Sequence, residues 1–177
     1  MQNKIIPNPK THKTQSVRTA HKMPGELRIR IRKANTDDID AIAGIEQQRF
    51  PHPWKKSYLR DELSHDISYF YVAEDVVGSR VAGYIIFWIV EDLLELHKIV
   101  SAENYKKKGI GKKLFLFMME IAKQKKVKEV FLEVRKSNTE AIKFYESFHF
   151  QLVDTREDYY QDPMEDALVY RLTFDSF

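Results

Sequence analysis

Residues 93–134 read LLELHKIVSAENYKKKGIGKKLFLFMMEIAKQKKVKEVFLEV, and this stretch decides the fold. Leu93–Val100 and Val127–Val134 are rich in apolar and branched residues, which favours two strands. Between them, apolar side chains recur at helical spacing: Ile110, Leu114, Phe117, Met118 and Ile121. This spacing predicts a helix from about Gly109 to Lys125. The segment is therefore expected to form a strand–helix–strand unit, whose crossover connection joins parallel strands.

The residues on either side of this unit predict further strands and helices. Leu27–Arg32 alternates apolar and basic residues, the period of a half-buried strand. Thr36 is expected to cap a helix with Ile39, Ile42, Ala43 and Ile45 on its apolar face, and the two prolines in Phe50–Trp54 are expected to break it. The other predicted elements are a helix at Lys56–His65, a hairpin of Tyr69–Ala73 and Val81–Val90, a helix capped by Asn138 with Ala141, Phe144, Tyr145 and Phe148 on one face, and strands at Phe150–Asp154 and Ala167–Thr173. Together they describe a mixed α/β sheet covered by helices.

Length and composition restrict the possible classes of protein. The chain has 177 residues, of which 43% are hydrophobic and 31% charged, which predicts one globular domain over residues 27–177. It contains no cysteine, which excludes disulfides, thiol nucleophiles and cysteine-based zinc sites. No apolar run approaches the roughly 20 residues of a membrane-spanning helix, so no membrane role is expected.

The positive charge is concentrated at the start of the chain. Residues 1–25 carry five basic side chains and no acidic one, together with three prolines and no apolar periodicity. This composition predicts a disordered basic tail over residues 1–26. The net charge of the whole chain is only +3, which is too small to indicate a nucleic-acid-binding protein by itself.

The lysine- and glycine-rich loop Lys106–Lys113, KKKGIGKK, lies between a predicted strand and a predicted helix. It fails the Walker pattern because Lys106 and Lys113 replace the required glycine and hydroxyl residue, and it lacks the third glycine of a dinucleotide fingerprint. Even so, helix N-terminal amides beside Gly109 and Gly111 would let a phosphate approach the backbone closely. The loop thus predicts either a pyrophosphate site or a glycine turn next to a solvated lysine run.

Three polar residues downstream are candidates for chemistry. Glu133 interrupts an apolar strand that is expected to be buried on both faces, and burial would raise the carboxyl pKa toward values useful for proton transfer. The alternative is a partly exposed glutamate paired with Arg135 or a lysine. Asn138 is in the first place a helix cap, and Tyr145 is either a core tyrosine or a phenol that protonates a leaving group.

Taken together, these motifs resemble a known family. The chain resembles the GNAT superfamily of N-acetyltransferases in several segments. These are Leu96–Val100, the loop YKKKGIG at 105–111, the block LEVRKSN at 132–138, the FYE at 144–146, and the Tyr-Tyr and Glu-Asp-Ala of 159–167. Within it, the chain is similar to the bacterial ribosomal-protein-alanine N-acetyltransferases (the RimI type), over about residues 28–174. It departs from the family pattern at Lys106, where Gln or Arg is usual, and at Lys126 and His149, where glycine is usual.

The resemblance implies a fold, a cosubstrate and site residues. The fold is a central, mostly antiparallel twisted sheet with one parallel pair, flanked by helices. The cosubstrate is acetyl-CoA, with Glu133 as general base and Tyr145 as general acid. The implied cofactor-binding residues are Ile99, Val100, Ser101, Lys106, Lys107, Lys108, Gly109, Ile110, Gly111, Lys112 and Asn138. The implied acceptor-binding residues are Phe50, Trp54, Tyr159 and Tyr160, in loops near Phe50–Trp54 and Tyr159–Asp166.

The same resemblance favours a particular acceptor: the N-terminal α-amine of a ribosomal protein. It implies a cytoplasmic enzyme that is a monomer or weak dimer, with no direct nucleic-acid contact. No metal is expected, because the histidines at 52, 65, 97 and 149 lack ligand spacing. Three alternatives remain at this stage. The first is a broader specificity for protein N-termini. The second is a small amine acceptor, such as a polyamine or antibiotic, drawn by Glu157, Asp158, Asp162, Glu165 and Asp166. The third is a non-catalytic domain that binds coenzyme A, or binds RNA through Lys106–Lys113.

Overall fold

The computed structural model describes residues 27–174, so the predicted tail at 1–26 lies outside the described residues. In chain order the elements are β1 (Ile29–Lys33), α1 (Ile39–Arg49), α2 (Lys56–Ser64), β2 (Ser68–Asp75), β3 (Arg80–Val90), β4 (Leu93–Ser101), α3 (Ile110–Gln124), β5 (Glu129–Arg135), α4 (Thr139–Glu146), β6 (Gln151–Gln161) and β7 (Met164–Thr173). Short 3-10 turns at Thr36–Asp38 and Glu103–Tyr105 precede α1 and α3.

The strands form one seven-stranded sheet in the order β1-β2-β3-β4-β5-β7-β6. Every neighbouring pair is antiparallel except β4 and β5, which are parallel and are joined by α3. The predicted mixed fold, mostly antiparallel with one parallel pair, is therefore confirmed. The parallel ladder is short, because it joins only Leu93–Leu96 to Glu129–Leu132. Beyond these residues β4 continues to Ser101 and β5 to Arg135, so the two strands separate.

The sheet has an apolar core on each face. One core, which we call the α3–α4 core, buries Leu114, Phe115 and Met118 of α3 and Tyr145 of α4 against the sheet. The other, the α1–α2 core, buries side chains of α1 and α2, such as Ile42 and Leu59, against β2 and β3. In α3 the predicted residues Ile110, Leu114 and Met118 are buried, but Phe115 is completely buried where the spacing predicted Phe117, which is only half-buried.

A β-bulge in β4 redirects the side chains of that strand. Leu96 pairs with Phe87 and Lys98 pairs with Ile86, so His97 is an extra residue in the ladder. Leu96, before the bulge, packs in the α3–α4 core, whereas Val100, two residues after Lys98, packs in the α1–α2 core. The bulge therefore turns Lys98 and Val100 toward the face that carries α1 and α2.

Two sequence predictions about element ends are wrong. The first helical turn is capped by Asn35 rather than Thr36: the Asn35 side chain accepts from the Asp37 amide, and the Asp38 carboxylate accepts from the Asn35 amide. This is a reciprocal capping box, and Thr36 is the first residue inside the turn. The segment Tyr159–Asp166 is not simply a loop, because β6 and β7 form a hairpin that leaves only 162–163 between them. β6 is an edge strand exposed along almost its whole length, so it shows no apolar alternation.

Candidate active site

The loop before α3 forms an anion-binding arrangement of backbone amides. Gly109 is the residue before the helix and has a left-handed backbone, with a φ of 76°. The Lys113 amide donates to the Gly109 carbonyl, so the amides of Ile110, Gly111 and Lys112 precede the first intrahelical bond. These amides and the helix dipole place positive potential at the end of the loop. The Ile110 side chain is in the α3–α4 core, so only its backbone faces the loop.

Side chains add to the charge of this loop. The Lys106 ammonium is 2.8 Å from Glu103, which also bonds Arg49 of α1. The hydrogen bonds from Lys106 and Arg49 hold the pKa of Glu103 below its ordinary value. The Lys108 ammonium lies 5.3 Å from the Tyr105 ring centroid. The structure thus brings the predicted residues Lys106–Lys112 to one helix N-terminus.

The end of β4 lies beside this helix. A Cβ placed on Gly111 would be 3.7 Å from the Ser101 hydroxyl oxygen, so the two residues are neighbours. On one edge, Ile99–Ser101 pairs with β3. Since β5 has separated from β4 beyond Leu96, no strand of residues 27–174 pairs with the other edge of this segment. The gap between β4 and β5 therefore leaves backbone groups of β4 available next to the α3 N-terminus.

Glu133 is the first residue of β5 beyond the parallel ladder. Its neighbours Leu132 and Val134 face the α3–α4 core, so Glu133 faces the other side of the sheet. Its side chain is 20% exposed and forms an ion pair with Arg156 of β6. The prediction of burial on both faces is wrong, because β5 is covered closely on only one face. The predicted pairing with Arg135 or a lysine is also wrong, since Arg135 instead bonds Glu165 at 2.7 Å.

A cavity of about 200 Å³ opens beside Glu133 on this face of the sheet. It is lined by Leu93, Glu95, Phe131, Leu132, Glu133, Arg156 and Val169. Sequence reasoning missed Glu95 and Arg156, because nothing local in the chain shows that β4 lies next to β5 and that β6 lies across β7 from it. The cavity is small, largely apolar and carries both signs of charge at its wall.

Tyr145 of α4 lies in the α3–α4 core, on the face of the sheet opposite to the Glu133 side chain. Its residue is 6% exposed, and its ring lies among Phe115, Phe144 and Phe150. Burial raises the pKa of the Tyr145 phenol well above its ordinary value, with a further contribution from Tyr160. The hydroxyl therefore keeps its proton at physiological pH.

Tyr159 and Tyr160 are consecutive residues of β6 that interact with Glu133. A hydrogen bond to Glu133 raises the pKa of Tyr159, and burial together with the Glu133 charge raises the pKa of Tyr160 to about 12. The Arg135 guanidinium lies 4.1 Å from the Tyr160 ring centroid. The structure thus places the predicted acceptor residue Tyr159 against Glu133, with Tyr160 close enough to influence the pKa of Tyr145.

Asn138 caps α4, as predicted. Its side-chain oxygen accepts from the Ala141 amide at 3.2 Å, which occupies one of its acceptor positions. The preceding Ser137 bonds Glu165 through both its amide and its hydroxyl. These contacts attach the β6–β7 hairpin to the turn before α4.

The loop between α1 and α2, residues 50–55, meets the β6–β7 hairpin. The His52 Nε2 atom is 3.6 Å from an Asp162 carboxylate oxygen. The Lys98 ammonium lies over the rings of both Phe50 and Trp54, with centroids 3.8 and 4.9 Å away. The two predicted acceptor segments are therefore adjacent in space, on the face of the sheet that Glu133 also faces.

The residues that hold this loop were not found by sequence reasoning. Glu46 is completely buried and bonds Lys98, the Tyr84 hydroxyl and the Trp54 amide. One local signal existed, because Glu46 lies three residues after Ala43 on the apolar face of α1. Nothing in the sequence pattern indicates that Lys98 is its partner.

Two further observations concern the described part of the chain. Within residues 27–174, no helix has both the length and the apolar composition needed to cross a bilayer. Over the same range, no group of three or more His, Asp or Glu side chains could hold a metal ion.

The site combines the N-terminus of α3, the strand edge of Ile99–Ser101, a carboxylate and a buried phenol. A helix N-terminus suits an anionic group, and a carboxylate can accept a proton.

Comparison with known proteins identifies the family of the chain. The profile of the Acetyltransferase (GNAT) family matches residues 39–150. An N-alpha-acetyltransferase of Sulfurisphaera tokodaii is 34% identical over 151 residues, 78% of this chain and 89% of the relative. The crystal structure of the ribosomal-protein-S18-alanine N-acetyltransferase from Escherichia coli matches with a TM-score of 0.78 and 26% identity, over 85% of this chain and 96% of that one. Arabidopsis thaliana NAA60 in complex with acetyl-CoA shares the fold at a TM-score of 0.75 and 19% identity, over 83% of this chain and 100% of that one. The chain belongs to the GNAT family and is an N-acetyltransferase.

Proposed function

We propose that this enzyme transfers the acetyl group of acetyl-CoA to the N-terminal α-amine of a protein, and that the acceptor is the N-terminal alanine of a ribosomal protein. The observation that carries the proposal is the separation of β4 and β5 directly before Glu133, beside the N-terminus of α3. The similarity to the Escherichia coli enzyme, described as acting on the alanine of ribosomal protein S18, supports this acceptor. A ribosomal protein acceptor would place the reaction in the cytoplasm.

Acetyl-CoA would bind along the β4 edge and the α3 N-terminus. The amides near Gly109–Lys112 and the lysine side chains of the loop suit a pyrophosphate. The free edge of Ile99–Ser101 suits the amide groups of the pantetheine arm, which would pair with it as an added strand pairs. Backbone amides of that segment would also stabilise the oxyanion that forms at the thioester carbonyl.

Proton transfer would then divide between two residues. The attacking amine must be neutral, and an α-amine with a pKa near 8 loses its proton far more readily than a lysine near 10.4. Glu133, directly or through a water molecule, would accept that proton. Tyr145 would give its proton to the departing coenzyme A thiolate. Arg156 and Tyr159 would keep the Glu133 carboxylate oriented toward the cavity.

The structure gives less support to a small-amine acceptor. Two of the five acidic residues proposed for such a site already have cationic partners: Glu165 with Arg135 and Asp166 with Lys136. Ion pairing and hydrogen bonding hold the pKa values of Glu165 and Asp166 below their ordinary range. The negative charge of these two residues is therefore largely neutralised.

The proposal is tested by incubating the full chain with acetyl-CoA and a panel of N-terminal peptides. The panel includes the N-terminus of the ribosomal protein S18 of the same source, the same peptide with a blocked α-amine, a lysine-containing internal peptide and spermidine. Mass spectrometry should show one acetyl group on the α-amine of the first peptide and none on the blocked one. Acetylation of spermidine or the internal lysine in preference to every free N-terminus would overturn the proposed acceptor.

A further inference from the structure

Lys98 occupies an unusual place for a lysine. Its side chain is only 12% exposed, and its ammonium lies 3.8 Å from the Phe50 ring centroid and 4.9 Å from that of Trp54. Aromatic faces within about 6 Å attract a cation, and the attraction grows when the cation is desolvated. The loop between α1 and α2 thus offers two aromatic rings to a cation, and the protein's own lysine fills this place.

The charge of Lys98 is balanced by one carboxylate. The ammonium is 3.1 and 3.0 Å from the two oxygens of Glu46, whose side chain is completely buried. The same carboxylate accepts from the Tyr84 hydroxyl and, at 2.7 Å, from the Trp54 amide. The cost of desolvating a buried charged pair is about as large as the attraction between the two charges. A role in stability alone therefore does not explain a buried ion pair well. The pair instead fixes where the aromatic loop lies.

The position of Lys98 in the sheet brings this pair to the reaction side. The bulge at His97 turns Lys98 toward the face that carries α1, the face that Glu133 also occupies on β5. The loop that covers Lys98 continues through His52 to Asp162 of the β6–β7 hairpin. Lys98 therefore lies beneath the loop that borders the acceptor side of the site.

We infer that Lys98 is a specificity-determining residue, whose ammonium takes the place between Phe50 and Trp54 that a cationic group of an acceptor would otherwise occupy. This rests on the proposed function, since it assumes that the Phe50–Trp54 loop lines the acceptor site. The filled cation site disfavours acceptors that carry positive charge beside the reacting amine, such as polyamines and peptides with an early lysine. It leaves neutral and acidic N-terminal sequences unaffected, because these offer no cation to be repelled.

The inference is tested with two variants. Lys98→Ala removes the charge and the side chain that fills the place beside the two rings. Glu46→Gln with Lys98→Ala also removes the unpaired buried carboxylate, while the amide oxygen of Gln can accept from the Trp54 amide and its NH2 group can donate to the Tyr84 hydroxyl oxygen. The matched control is Lys125→Ala, since Lys125 is another lysine over an aromatic ring, 6.0 Å from the Tyr69 centroid, but exposed at the end of α3. Each protein is assayed with peptides that differ only in carrying Ala, Glu or Lys at one of the first three positions, and with spermidine.

We expect both Lys98 variants to shift selectivity toward cationic acceptors. The ratio of kcat/KM for the Lys peptide to that for the Ala peptide should rise roughly 5- to 30-fold, the equivalent of a desolvated cation–π contact. The KM for acetyl-CoA and the ratio for Lys125→Ala should not change. A folded double variant with an unchanged ratio overturns the inference and leaves the proposed function standing. Wild-type protein that acetylates no peptide N-terminus overturns the proposed function itself.

Discussion

Leu96 of β4 and Leu132 of β5 form the last pair of the parallel ladder. Both side chains pack into the α3–α4 core, which holds the strands together up to this point. The next residue of β4 is the bulged His97, and the next residue of β5 is Glu133. The strands therefore separate at the position where the candidate base begins, and the site is a consequence of where the ladder ends.

The first prediction concerns the acetyl-CoA site. Gly109→Glu or Gly111→Glu should abolish measurable binding of acetyl-CoA by calorimetry, because a carboxylate would enter the positive helix end proposed for the pyrophosphate. Gly44→Ala is the matched control, since a Cβ there meets nothing within 4 Å and the residue lies in α1. Unchanged affinity in a folded Gly111→Glu protein would contradict the assignment.

The second prediction concerns two helix ends where glycine is usual in the family. Lys126 and His149 have left-handed backbones, with φ values of 57° and 67°. A residue with a Cβ is strained by about 1–2 kcal/mol in this conformation, and glycine relieves this strain. Glycine also makes the unfolded chain more flexible, which offsets part of the gain in stability. Lys126→Gly should therefore raise the free energy of unfolding by about 0.5–1 kcal/mol in urea titration. The same change at exposed Lys123, inside α3, should instead lower it by about 1 kcal/mol.

The third prediction uses the ion pair between Arg32 and Asp38. Burial alone would raise the pKa of Asp38, but hydrogen bonds from Arg32 at 2.7 and 2.8 Å and from the Asn35 amide outweigh it and lower the pKa. The unfolded chain therefore binds a proton at higher pH than the folded one, so this contribution is present above about pH 4 and is lost as the pH falls through the folded pKa. Asp38→Asn should cost about 2 kcal/mol at pH 7 and flatten the decline in stability below pH 4.

The control for this change is Asp37→Asn, an exposed carboxylate in the same turn. Thermal melts of the three proteins between pH 2.5 and 7 give the comparison. An Asp38→Asn protein that loses stability on acidification as steeply as the wild type would show that this ion pair is not responsible.

Local pattern predicted most of the fold and part of the site. The helix α3 and the loop before it were predictable, because its apolar stripe and Gly109 are features of adjacent residues. Asn35 and Thr36 are both good caps, so composition could not choose between them. β6 escaped prediction beyond Asp154, because an exposed edge strand has no buried face to impose alternation.

Long-range partners could not be predicted by the same means. Arg156 is 23 positions from Glu133 and follows a helix and a turn, and Lys98 is 52 positions from Glu46. Each of these contacts depends on how separate elements pack. The sequence therefore located the candidate base and acid, while only the structure shows that Arg156 is the charged partner of Glu133.

The fourth prediction concerns Glu133. Glu133→Gln keeps the shape of the side chain and removes the base, so kcat should fall by about 100- to 10,000-fold while the KM for acetyl-CoA stays nearly constant. Loss of the partly exposed ion pair with Arg156 should cost at most about 1 kcal/mol of stability. Glu129→Gln is the control, since Glu129 lies on the same strand and is paired with Arg171 at 3.3 Å. Equal rates in the two variants would reduce Glu133 to a structural residue.

The last prediction separates Tyr145 from an ordinary core tyrosine. Tyr145→Phe keeps the ring in its cluster with Phe115 and Phe150 and removes only the proton, so single-turnover rates should fall by about 100-fold or more. Tyr170→Phe is the matched control: Tyr170 is 3% exposed in the same core, and its hydroxyl bonds Glu146 at 2.9 Å. That variant should lose about 1 kcal/mol of stability and keep its rate per folded molecule. If Tyr145→Phe lowers the melting temperature as Tyr170→Phe does and leaves the rate intact, the proton of the leaving thiolate comes from another donor, and Tyr145 serves the core alone.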